Sequence, residues 1–190
     1  MKSLLLSMFI IFTICACKKE HPIPKPPPEK EYVQYFKGFI SEKPLLVTQS
    51  GISGDWTGLS SVSAPDMEVY RVIVNLQETY AGRLQTSFLR FQLFNMKNRT
   101  FKISGHEPIL DLRNSYIFLN KKLGPNDEDA KFYTPNNLKK PFEINITRYE
   151  YLKNSGLPYV KGTLNGVLYN IKDITDSIVI RDGDFDVHNL

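Results

Sequence analysis

The chain has 190 residues, 42% of them hydrophobic and 23% charged, with a formal net charge of +4 at pH 7. That balance is too mild to imply a nucleic-acid partner, which draws on a dense basic face. Both cysteines, Cys15 and Cys17, stand within the first 17 residues. The rest of the chain therefore has no disulfide, no thiol chemistry and no cysteine metal site, and its fold rests on the core alone.

Lys2 is followed by the apolar run 4–14 and then by Cys15-Ala16-Cys17. An apolar core of about a dozen residues suits a secretory signal, whereas crossing ~30 Å of hydrocarbon takes ~20. Ile14-Cys15-Ala16-Cys17 resembles a bacterial lipobox, with a branched aliphatic, a variable residue, a small residue and the cysteine. The resemblance implies that residues 1–16 are a signal peptide and that Cys17 becomes a lipidated N-terminus anchored in a membrane. Loss of Lys2 takes the formal charge from +4 to +3. Each buried methylene contributes ~0.8 kcal/mol, so several acyl chains anchor stably where one does not. Cys17-Lys18-Lys19-Glu20 further resembles the opening of Bacteroidota-type lipoproteins exported to the cell surface. It implies an outer-membrane protein facing outward, with a periplasm-facing anchor as the alternative.

Five of the twelve prolines fall in residues 21–31, a composition that favours extended polyproline II over packed structure. At ~3.1 Å per residue this stretch makes a stalk of up to roughly 40 Å. Residues 17–31 are thus expected to be a lipidated, Pro-rich stalk, and residues 32–190 a single domain.

The domain reads as all-β. Residues 33–40 and 45–48 give two short strands, and 51–65, rich in Gly and Ser, reads as a loop. Tyr70, Val72, Val74 and Leu76 share one face of a strand, with Arg71, Asn75 and Gln77 on the other. Leu89, Phe91 and Leu93 alternate with Arg90 and Gln92 in the same way. Residues 101–103 and 116–119 add short strands, and Phe142, Ile144 and Ile146 alternate with Glu143, Asn145 and Thr147. Residues 159–168 and 177–187 complete the set. Eight or nine strands broken by Gly, Pro and Asn predict an antiparallel β-sandwich, with a closed β-barrel as the alternative. The pairs Lys121-Lys122 and Lys139-Lys140 read as solvated positions that guard strand edges.

Gly162-Thr163-Leu164-Asn165-Gly166 leads to Ile178-Val179-Ile180-Arg181-Asp182-Gly183-Asp184-Phe185. This ending resembles uncharacterised Bacteroidota lipoproteins that close on a glycine-marked strand and an I-x-I-x-D-G-x-F motif. The resemblance implies fold and location and transfers no site. Physically, Ile178 and Ile180 share parity with Asp182, Asp184 and Asp186, whereas Phe185 and Val187 have the opposite parity. A regular strand would misplace one set, so Asp182-Gly183 is expected to form a bulge or tight turn that switches faces. Gly162 and Gly166 lie four apart and are expected to admit a large aromatic side chain or to mark a bend.

Asp182, Asp184 and Asp186 are the candidate metal ligands, for calcium, which takes 6–8 oxygens. An extended row spaces such side chains ~6.6 Å apart, so chelation requires a bend. The alternative is an edge strand protected by charge. Enzyme signatures fail: His106-Glu107 lacks a second histidine at Leu110 and is followed by Pro108, and Gly51-Ile52-Ser53-Gly54-Asp55 misses the nucleophile elbow. A noncatalytic role is therefore expected. Trp56, alone of its kind and set in a Gly/Ser-rich stretch, with Tyr149 and Tyr151 sharing one strand face, suits stacking on a sugar ring. The expected function is a surface binding module for glycans or other extracellular polymers. An accessory or structural subunit of an outer-membrane assembly is the alternative, with an envelope protein as partner.

Overall fold

Alternation of apolar and polar residues along the chain produces strands throughout. The computed structural model describes residues 33–48, 58–64, 68–80, 82–105, 111–123, 130–151 and 158–187. The signal, Cys17 and the stalk lie outside the described residues. Among the described residues eleven strands form one antiparallel sheet: β1 (Tyr35–Ile40), β2 (Lys43–Val47), β3 (Gly58–Ala64), β4 (Val69–Tyr80), β5 (Arg83–Phe94), β6 (Thr100–Ile103), β7 (Tyr116–Lys121), β8 (Lys131–Thr134), β9 (Phe142–Tyr151), β10 (Pro158–Asn170) and β11 (Asp173–Val187). The main path runs β2-β1-β11-β10-β8-β7-β5-β4-β3, and β9 and β6 branch from β10.

The branch has a simple origin. The first two-thirds of β10 pairs with β9 from Pro158↔Tyr151 to Asn165↔Glu143, and its last two residues pair with β8. One long strand thereby serves two neighbours on the same side. The sheet curls so that strands far apart along the path face each other, in the manner of a sandwich. Phe36, Val72, Val74, Phe91, Ile180 and Phe185 all join one buried cluster although they come from β1, β4, β5 and β11. Tyr70 on β4 donates a hydrogen bond to the carbonyl of Val187 on β11, 3.5 Å away.

Two strands exceed the sequence expectation. β3 occupies part of the stretch read as a loop, pairing with β4 from Gly58↔Asn75 to Ala64↔Val69. A strand paired on one side is held by its backbone ladder, which requires no alternating side-chain pattern. β8 is only four residues long and pairs with β7 and the end of β10.

The β11 bulge lies where parity demands it. Against β1 the register steps from Lys37↔Asp184 to Phe39↔Arg181, and against β10 from Leu164↔Gly183 to Gly166↔Ile180. Both neighbours thus pass over one extra β11 residue. Asp182 takes a φ of 51° there. Before the bulge Ile178 and Ile180 point into the core, and after it Phe185 and Val187 do. β11 lies between β1 and β10, which corrects the reading of this segment as a charged edge strand. The two β10 glycines make room for aromatic rings: a Cβ on Gly162 would sit 2.9 Å from Phe185 Cζ, and one on Gly166 would sit 2.5 Å from the Phe142 ring.

The outer face of β5 and β7 is organised around a buried polar side chain. Gln92 accepts from Arg71 Nη2 at 2.6 Å and donates to the carbonyls of Asp111 and Asn114 at 2.8 and 2.9 Å. Those bonds pin the 111–115 loop over Tyr116, leaving Gln92 itself fully buried.

Candidate functional site

A cleft of about 400 Å³ opens at one end of the curled sheet, between the β1–β2 hairpin and the facing strands β4, β5 and β7. Its apolar lining comes from Ile40, Leu45, Leu76, Leu119 and Ile178. The volume falls in the usual range for small-molecule pockets, about 300–1,000 Å³. Polar groups enter from Ser41, Lys43, Gln77, Ser87 and Lys121. Ser87 Oγ is already used, accepting from the Lys122 amide at 3.1 Å. Gln77 Nε2 is buried with no partner.

None of these positions was a candidate from the sequence, and Lys121 read as a solvated charge. The residues come from six separate strands and one turn, so no local motif announces them. The only signal available was the pairing of Leu76 with a following Gln77 near the end of a long alternating strand.

Tyr149 and Tyr151 lie at the opposite end of the sheet, where β9 pairs with the start of β10. They are brought together: their rings meet edge to face with centroids 5.9 Å apart, and the Tyr149 hydroxyl donates to that of Tyr151 at 3.5 Å. The register steps from Lys161↔Arg148 to Gly162↔Ile146, leaving Thr147 as an extra residue on β9. That bulge shifts Tyr149 to the core side, where it packs against the buried cluster, while Tyr151 stays 44% exposed. Burial, and then the bond to Tyr151, push the Tyr149 hydroxyl above its ordinary pKa. On the other face Arg148 pairs with Glu150 and lies over the Tyr159 ring. Trp56, the third aromatic candidate, lies outside the described residues.

The three aspartates are dispersed. Asp182 pairs with Arg181 at 3.0 Å. Asp184 takes Lys37 Nζ and the Tyr35 hydroxyl, both at 3.1 Å. Asp186 is buried, its Oδ1 has no partner, and burial raises its carboxyl pKa to about 6. Among the described residues no three His, Cys, Asp or Glu side chains group closely enough to hold a metal ion. The bulge is the physical reason for this dispersal, because it turns Asp182 and Asp186 to different surroundings.

A different carboxylate is the centre of a polar cluster. Asp176 accepts from Lys131 Nζ at 2.7 Å, Asn170 Nδ2 at 3.0 Å and the Tyr133 hydroxyl at 3.1 Å. Those bonds, the one to Lys131 foremost, hold its pKa below the usual carboxylate range. Burial and the neighbouring Asp176 push the Tyr133 hydroxyl up to about 12. The cluster ties β8 to the β10–β11 turn.

Comparison with curated proteins and with solved structures finds no match to the chain. Residues 33–188 match the family described as "Domain of unknown function (DUF5025)", a span that includes every strand of the sheet, and the chain belongs to that family.

Proposed function

We propose that this protein is a lipid-anchored, noncatalytic binding module of the bacterial outer membrane, facing outward and holding glycans or other extracellular polymers. The lipobox resemblance at Cys17 and the Pro-rich stalk support the location. The observation that carries the binding role is the Tyr149–Tyr151 pair, an aromatic corner with Tyr151 44% exposed. A tyrosine ring offers a flat apolar face with a polar tip, which suits the apolar face and hydroxyl rim of a sugar. Trp56 is assigned to the same function. The test is the melting temperature of the full chain across a panel of polysaccharides, with and without calcium. A ligand at 100 times its Kd stabilises by ~2.7 kcal/mol, or about 5–10 °C for a domain of this size. A shift with one glycan class that Tyr151→Ala or Trp56→Ala abolishes supports the reading. No shift with any polysaccharide overturns it, and a shift with calcium alone returns attention to the aspartates.

A second reading, as a subunit of an envelope assembly, is favoured by β2. Among the described residues this strand has no neighbour on its outer side, and Leu46 is 66% exposed on it. An unpaired edge of this kind accepts a strand from another chain. Co-purification of one envelope protein that Leu46→Lys abolishes would support that reading.

A further inference from the structure

The cleft at the other end of the sheet has a chemistry that a glycan does not match. Among the described residues no aromatic side chain lines it, and its apolar surface is aliphatic. Branched aliphatic walls suit an acyl chain, which gains from area removed from water and needs no stacking face. Among the described residues the charged groups at the cleft are of one sign: Lys43 and Lys121 line it, and no Asp or Glu does. Glu42, the carboxylate in the β1–β2 turn, is held by Arg181 at 2.7 Å and so is not offered to either lysine.

We infer that this cleft binds a small anionic amphiphile, a medium-chain carboxylate, with its chain against Leu45, Leu76, Leu119 and Ile178 and its head group at Lys43 and Lys121. Size sets the chain length. A space of about 400 Å³ corresponds to roughly a dozen water volumes, which accommodates a carboxylate of about ten carbons. Low-dielectric walls beside two cations strengthen the attraction for an anion over what open solvent gives.

The test is calorimetric titration of the full chain with decanoate below its micellar concentration. Saturable one-site binding is expected, weakening as salt is raised. Decanol, with the same chain and a neutral head, should bind at least about tenfold more weakly, and decyltrimethylammonium should not bind. The double variant Lys43→Gln/Lys121→Gln should lose at least about tenfold in affinity. It is expected to melt with the parent, because both residues are at the cleft surface. Absence of saturable decanoate binding overturns the proposal, as does equal binding of all three head groups or full affinity in the lysine variant. Tighter binding of an anionic lysophospholipid with the same chain would assign the cleft to a lipid head group and overturn the free carboxylate. None of these outcomes bears on Tyr151, so the glycan reading stands or falls separately.

Discussion

Phe185 on β11 lies against Phe91 on β5, with ring centroids 5.1 Å apart and ring planes at 57°. The two strands are not hydrogen-bonded neighbours, so this contact spans the interior and joins the two facing parts of the curled sheet. Both rings are fully buried. Phe185→Ala is expected to cost about 3–5 kcal/mol, and Phe185→Leu distinctly less because most of the volume is kept. Urea unfolding would measure both, and a lowered midpoint with an unchanged slope is the expected form. A loss under about 1 kcal/mol for the alanine variant would mean that the facing strands are held together elsewhere.

How much of this was legible in the sequence depends on how local the cause was. The rows Phe142, Ile144, Ile146 and Leu89, Phe91, Leu93 are buried as their alternation predicts, because side-chain parity in a strand is a local property. The Asp182-Gly183 bulge was legible for the same reason, since a parity conflict has few solutions. β3 was not, because its pairing with β4 uses backbone groups that every residue carries. The partners that occupy Asp184 were not legible either, because Lys37 and Tyr35 come from β1, at the far end of the sequence, and no local pattern names them. The cleft was invisible for a stronger form of that reason: Lys43, Gln77 and Lys121 come together only when three strands are placed.

The bulge gives a second prediction. Asp182 sits at φ 51°, a left-handed conformation that aspartate, asparagine and glycine accept and that β-branched residues resist. Its ion pair with Arg181 is exposed and contributes little. Asp182→Gly should therefore leave the melting temperature nearly unchanged, while Asp182→Val should cost about 1–2 kcal/mol. If the two variants melt together, the backbone conformation at 182 is not what holds the bulge.

Gly162 tests the close approach of β9, β10 and β11. A Cβ there would stand 2.5 Å from the Asn145 carbonyl oxygen as well as against Phe185. The ring has some freedom to swing, but the carbonyl belongs to the β9 backbone and cannot yield without disturbing the ladder. Gly162→Ala is expected to destabilise by about 1–3 kcal/mol, the cost of overpacking, despite the usual gain from replacing glycine. Combining it with Phe185→Leu should recover part of that loss, measured as a double-mutant cycle in urea. Strict additivity would show that the ring takes no part in the strain.

Two carboxylates give opposite pH dependences. Burial raises Asp186 from 3.8 to about 6, so at intermediate pH the folded chain holds a proton that the unfolded chain has lost. That stability is fully present below about 3.8 and is lost as pH rises through about 6. Asp176 is depressed by Lys131, Asn170 and Tyr133, so its contribution is present above its unfolded pKa and is lost as pH falls through the lowered one. Asp186→Asn should raise the melting temperature at pH 7.5 by about 3–6 °C, the size expected for relieving about 1–2 kcal/mol of buried charge. The gain should shrink on acidification and be absent near pH 3.5. Asp176→Asn should do the reverse, lowering the melting temperature at neutral pH and converging with the parent in acid. Thermal unfolding of the three proteins between pH 3.5 and 7.5 separates these effects. An Asp186→Asn difference that is constant across the range would mean that the substitution acts through packing, and that the carboxyl of Asp186 is solvated in the folded protein.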